Sequence, residues 1–204
     1  MNKIEIQMMK EEHTEQVIEM MRVFYASPAV LSNGSEQIFR NDVENCVNES
    51  PYLEGYVFIE VDENTESAIL DENTKSATLK EITEYKDSNI FKKTDENTKS
   101  TILKKIVENK ENSILKEKKE NIIGYAMIAK SFSTEFGKPC MWIEDLYLKS
   151  NYRGIGIGTQ FFSFVEKKYP NAILRLEVEE DNKRAVHVYE KNGFEVLPYM
   201  EMKK

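Results

Sequence analysis

Residues 151–162 read NYRGIGIGTQFF, with glycine at positions 154, 156 and 158 behind an arginine and ahead of an aromatic pair. The preceding MWIEDLYL, residues 141–148, is strand-like, and Phe161, Phe162, Val165 and Tyr169 fall on one face of a helix. Three glycines at a strand-to-helix junction can be a plain flexible turn, yet each glycine costs about 1 kcal/mol relative to alanine inside a helix. The other reading gives them a use. Glycine permits positive φ and a close approach of ligand to backbone. The N–H groups of a helix's first turn, at the positive end of its dipole, cradle an anion. Arg153 adds a guanidinium able to form paired hydrogen bonds to phosphate oxygens. The segment is read as a phosphate-binding loop, which requires a fold in which a strand feeds a helix.

The common phosphate motifs do not fit. GxxxxGK[ST] is absent, which excludes a P-loop. The dinucleotide fingerprint GxGxxG would read Gly154, Gly156 and then Thr159, failing at its third position. That fingerprint also opens its domain, with several βα units to follow, whereas here the chain ends at residue 204.

One other stretch breaks the character of the chain. From Asp62 to Glu120 there is no Gly, Pro, Met, Trp, His or Cys. DENTKSATLKEITEYKDSNIFKKT, residues 71–94, aligns without a gap on DENTKSTILKKIVENKENSILKEK, residues 95–118, with 13 of 24 positions identical, and a truncated copy begins at residue 62. Leu103, Ile106, Val107 and Ile114 lie roughly on one helical face. The segment reads as a solvated insert, partly helical or disordered, with a partner-binding module as the alternative. Removing residues 62–120 joins YLEGYVFIEV to NIIGYAMIAKSF, two runs that would make a hairpin. The expected organisation is therefore a single domain over 1–204, its hairpin loop swollen by the 62–120 insert, which loop-closure entropy tolerates.

Elsewhere the order is legible. Ile4, Ile6 and Met8 alternate; Val17, Met20, Met21 and Phe24 recur at helical spacing; a second helix is expected from about Glu36 to Val47 after the turn signal SNG. ILRLEVEE, residues 173–180, reads as a strand, Ala185, Val186 and Tyr189 as a helix ended by Asn192-Gly193, and FEVL and YMEMK as two short strands. The order β α α β β β α β α β β predicts an α/β domain with a mixed sheet.

The residues now carry a resemblance. Arg153-Gly154-Ile155-Gly156-Ile157-Gly158 matches the R/Q-x-x-G-x-G/A signature of the GNAT superfamily of acyl-CoA-dependent N-acetyltransferases. IEDLYL resembles that family's central strand, and EEDNKRAVHVYEKNGFE, residues 179–195, its next motif, with Asn182, Ala185, Tyr189 and Gly193-Phe194 in register. The resemblance implies a mixed, mostly antiparallel central sheet flanked by helices, with a splayed central strand pair formed by 142–148 and 173–179. It implies acetyl-CoA as acetyl donor, its pyrophosphate on the loop from Arg153 to Thr159, its pantetheine arm along the strand at Leu146 and Leu148, and Asn182 beside it. Tyr189 matches the family's general acid, a core tyrosine being the other reading. Glu144 and Asp145 on the central strand suggest a base, a ligand for a cationic substrate, or a buried ion pair, with Glu144 ahead of Asp145 as base.

The implied activity is transfer of an acetyl group to a primary amine of a small cationic acceptor. The alternative is a non-catalytic CoA-binding or interaction module recruiting a partner through the insert. Net charge −8 and a pI near 5.1 argue against nucleic acid and favour cationic partners. Cys46 and Cys140 have no ligand spacing and read as buried thiols, with no metal site. His187 reads as an exposed helix histidine and His13 as part of a helix-capping region. No stretch of about eighteen apolar residues occurs, so a cytoplasmic protein without a membrane segment is expected, and the resemblance implies a homodimer.

Overall fold

Alternating apolar runs build five strands into one sheet with the spatial order β1-β2-β3-β4-β5, namely β1 (Lys3–Met8), β2 (Leu53–Val61), β3 (Asn121–Ser133), β4 (Lys138–Leu148) and β5 (Ile173–Leu176). The computed structural model describes residues 3–31, 33–61, 80, 82–86, 94–95, 97–105, 120–200 and 202–203. Two units are distinguished, Ile4–Ile59 with Ile122–Lys204, and Met1–Lys3 with Glu60–Asn121. In the larger unit β3 and β4 run antiparallel and β4 and β5 parallel, giving a mixed, mostly antiparallel sheet.

Helix α1 (Thr14–Tyr25) buries Val17, Ile18, Met20 and Met21, and α2 (Glu36–Val47) buries Phe39, Val43 and Cys46. Ser35 caps α2, its hydroxyl accepting from the Ile38 N–H at 3.3 Å. The outer faces of the pair are joined by Arg22 on Glu36 and by Arg40 on Glu15 and Glu36, all at 2.9–3.0 Å. His13 is buried, and its Nδ1 accepts from the Lys10 N–H at 3.1 Å, so it closes the turn before α1. Both cysteines are free and buried, and burial pushes the Cys46 thiol up to about 12.

Helix α3 (Ile157–Lys168) packs Ile157, Phe161, Phe162 and Val165 against Tyr56, Phe58, Ala126, Ile128, Met141 and Ile143. Helix α4 (Lys183–Lys191) adds Val188 and Tyr189 to the same core. Two expectations change here. The strand read over 173–180 stops at Leu176, because its ladder with β4 ends at the Ile143↔Leu176 pair and Glu177 onward meets no strand. FEVL and YMEMK form no strand among the described residues. Phe194 packs on the core under α3, but the apolar side chains that follow are left to solvent, with Val196 87% and Met200 86% exposed.

Most of the tandem repeat lies outside the described residues, including 71–79 and 106–119. β2 ends at Val61 and β3 begins at Asn121, and the two strands are neighbours in the sheet. Within the smaller unit 82–86 and 97–105 are helical. Asp95, the first residue of the second DENTKS, accepts from the Thr98 N–H at 2.9 Å and so caps the 97–105 helix.

One polar cluster ties α3 to the sheet. Glu54 on β2 accepts from Tyr56 Oη at 2.6 Å, Lys168 Nζ at 3.0 Å, Lys130 Nζ at 3.3 Å and Tyr169 Oη. Burial alone would raise its pKa, but hydrogen bonds from Tyr169, Tyr56 and Lys168 prevail and hold it at about 2. A depressed carboxylate stabilises the fold fully above its ordinary pKa and loses that contribution as pH falls from there through the folded value. Glu54→Gln is therefore expected to lower unfolding free energy at pH 7 by about 2 kcal/mol. The gap to the wild type should close as pH falls from about 4.5 towards 2 in denaturation series, the span between the ordinary and folded values.

Candidate functional site

The site is organised by an irregularity in β4. Met127 pairs with Asp145 and Ile128 with Ile143, so Glu144 is an extra residue without a ladder partner. The consequence is a change of face. Met141 and Ile143 point to the α3 side before the bulge, and Leu146 and Leu148 pack on that same core after it. Asp145 and Tyr147 then face α1, where Tyr25 bonds Asp145 and Phe24 packs on Tyr147 at 6.0 Å. The ladder to β5 stops at the same point, at Ile143. β4 continues five residues further, and Glu177–Glu179 belong to no strand. This is the splayed central pair.

Beyond β4 a short 3-10 turn (Ser150–Tyr152) leads into the glycine segment. Gly154 and Gly156 adopt φ +85° and +91°, the left-handed region where a side chain is strained, and Gly156 caps α3. Nothing lies within 4 Å of where a Cβ would stand on Gly156 or Gly158. The Gln160 N–H bonds to the Gly156 carbonyl at 3.0 Å, but those of Ile157, Gly158 and Thr159 have no acceptor among the described residues. Three donors at a helix N-terminus beside open space are the requirements of a phosphate site. Arg153 turns back over this junction, its Nε donating to the Leu148 carbonyl at 2.7 Å and its guanidinium 5.5 Å above the Tyr147 ring. Ile155 is 41% exposed, whereas Ile157 is buried and anchors the loop.

The expected residues separate into two groups. Tyr189, Leu146, Leu148 and Ile157 share one core. The Tyr189 ring meets Phe162 and Phe194 edge-on at 5.9 Å, burial raises its pKa, and its hydroxyl has no hydrogen bond among the described residues. Asn182 caps α4, its Oδ1 accepting from the Ala185 N–H at 3.3 Å. Asp145 lies on the other face with both oxygens engaged, by Tyr25 Oη at 3.1 Å and Tyr125 Oη at 2.9 Å. Glu144, on the bulge, is exposed. His187 is exposed on α4.

Sequence reasoning missed the two phenols that hold Asp145. Tyr25 ends the apolar stripe of α1 and Tyr125 sits in an apolar strand, so a lone hydroxyl in each was the only signal. Burial raises the Asp145 pKa to about 6, with the two tyrosine hydrogen bonds pulling it down and the Asp42 and Glu144 charges pushing it up.

A strand pair that parts at a bulge, followed by a glycine turn that leaves the first N–H groups of a helix open, defines an α/β protein whose candidate site lies at a strand-to-helix junction. The sequence pattern of the Acetyltransferase (GNAT) family matches residues 78–194, more than half of the chain. The chain belongs to that family. Thialysine N-epsilon-acetyltransferase of Bos taurus is 35% identical over 83 residues, 39% of this chain and 48% of that protein. The Mus musculus protein of the same name is 34% identical over the same shares. The chain thus spans about half the length of the curated relatives it matches. The fold is similar to that of a possible acetyltransferase from Clostridium difficile 630, with TM-score 0.59 and 13% identity over 98% of this chain and 96% of that one. It is also similar to aminoglycoside N-acetyltransferase AAC(6')-Iy in complex with CoA, with TM-score 0.58 and 10% identity over 100% and 95%.

A raised carboxylate weakens the fold as pH rises from its ordinary pKa through the folded value, because only the unfolded chain ionises freely across that window. Asp145→Asn is expected to gain stability relative to wild type by about 3 kcal/mol as pH rises from about 4 to 7. Urea denaturation of both proteins at several pH values checks this.

Proposed function

We propose that the protein transfers an acetyl group from acetyl-CoA to a primary amine of a small cationic acceptor. The observation that carries this reading is the row of unpaired N–H groups at Ile157, Gly158 and Thr159, set beside the stretch of β4 that β5 leaves unpaired. Open space at Gly156 and Gly158 and the guanidinium of Arg153 suit a diphosphate. The stretch of β4 around Leu146 and Leu148 offers backbone donors and acceptors to the amides of a pantetheine arm. The donor supplies an acetyl group already activated as a thioester.

In this reading the amine nitrogen attacks the carbonyl carbon and the carbon–sulfur bond breaks. Backbone N–H groups of β4 near the bulge stabilise the oxyanion that forms. Tyr189 delivers its phenolic proton to the departing thiolate and is reprotonated from solvent. A raised phenol pKa keeps that proton on the oxygen until it is needed. Glu144 takes one proton of the incoming ammonium, directly or through water, since its bulged position leaves it exposed, and the second nitrogen proton leaves to solvent as the amide forms. Asp145, closed off by two phenols, acts as a positioning residue that fixes Tyr25 and the end of α1 against β4.

The acceptor class rests on charge and on the relatives. Asp42, Glu144 and Asp145 are close enough for the first two to raise the pKa of the third, and together they attract cations. The curated relatives are named for acetylation of an ε-amine, which supports a primary amine here. Tyr189→Phe is expected to reduce kcat about 100-fold, the ordinary scale of general-acid catalysis, with acetyl-CoA affinity unchanged. Steady-state kinetics on a panel of amines with thiol detection reads this, and normal turnover would remove Tyr189 from the mechanism.

A further inference from the structure

We propose that Arg184 is a second guanidinium of the diphosphate site, an inference that rests on reading residues 153–159 as the seat of CoA. Arg184 belongs to the first turn of α4, a separate element from the loop, yet it reaches back onto it. A Cβ built on Gly154 would stand 3.2 Å from Arg184 Nη2. Gly154 therefore serves two ends: it takes φ +85°, and its missing side chain lets a guanidinium rest against the start of the loop.

What Arg184 does there is narrowed by its neighbours. Arg153 spends its Nε on the Leu148 carbonyl, and Lys149 Nζ donates to the Ile122 carbonyl. Arg184 has no carboxylate or carbonyl partner among the described residues, although the chain carries 36 acidic side chains. An exposed arginine whose tip stands over the open side of Gly154 is a donor fork available to an acceptor there. The acceptor is a phosphate group. The N–H groups of Ile157, Gly158 and Thr159 give only partial positive charge, and a diphosphate bound by a chain of net charge −8 needs full cations at the loop. Arg153 stands at one end of Gly154 and Arg184 over it. The position at the first glycine assigns Arg184 to the pyrophosphate rather than to the 3′-phosphate of the adenosine.

The test is isothermal titration of the wild type, Arg184→Gln and Arg184→Lys with CoA and with 3′-dephospho-CoA. Arg184→Gln should weaken both ligands by about tenfold or more, the scale of one charge-assisted hydrogen bond. Arg184→Lys should restore part of the loss, and the unliganded melting temperature should not move. Equal affinity of Arg184→Gln and wild type for both ligands would overturn the proposal. So would a loss confined to CoA, which would put Arg184 on the 3′-phosphate. Failure of the wild type to bind either ligand would instead reject the CoA reading of the loop and this inference with it.

Discussion

The extra residue at Glu144 is the constraint on which the rest of the larger unit depends. A strand keeps one set of side chains on one face by strict alternation, and a single inserted residue reverses the assignment. Without the bulge Leu146 and Leu148 would fall on the α1 face and Asp145 and Tyr147 on the α3 face. With it, two leucines complete the core under α3, a carboxylate reaches Tyr25 on α1, and the ladder to β5 ends. The unpaired stretch of β4 and the seating of the first two helices both follow from that one irregularity.

The site is built largely from backbone. Its donors are the first N–H groups of α3, kept open by glycines whose φ values no other residue adopts comfortably. Side chains hold this backbone in place: Ile157 buries the start of the helix, Arg153 ties the loop to the end of β4, and the Glu54 cluster fastens the helix's far end to β2. In the proposed reading these fixed N–H groups offer an anion partial positive charge beside the full charge of a guanidinium, while the carboxylates around Asp145 leave the other face of β4 attractive to cations.

Much of this was legible in the sequence because it rests on short-range patterns. The glycines marked the turn before α3, and helical spacing gave the four helices of the larger unit, with α2 at its observed bounds, Glu36–Val47. What alternation could not reveal was its own interruption: WIEDLYL reads as a regular strand, and nothing local marks Glu144 as the bulged residue. The Tyr25 to Asp145 bond spans 120 residues and leaves no trace in either segment. The terminal pieces erred in the opposite direction. Strand-like composition in 173–180 and at the C-terminus needs a paired neighbour to become a strand, and β4 stops pairing before those residues are reached. Arg184 was visible only as one letter of a motif, since its approach to Gly154 joins two separate elements.

The central claim is that the loop from Arg153 to Thr159 is a working CoA site, and a thermal-shift titration with acetyl-CoA, CoA and NADH tests it without knowledge of the acceptor. Binding to the native state raises the melting temperature by mass action. The account predicts a concentration-dependent rise with acetyl-CoA and CoA and none with NADH. No response to acetyl-CoA up to millimolar concentration, or an equal response to NADH, would contradict it.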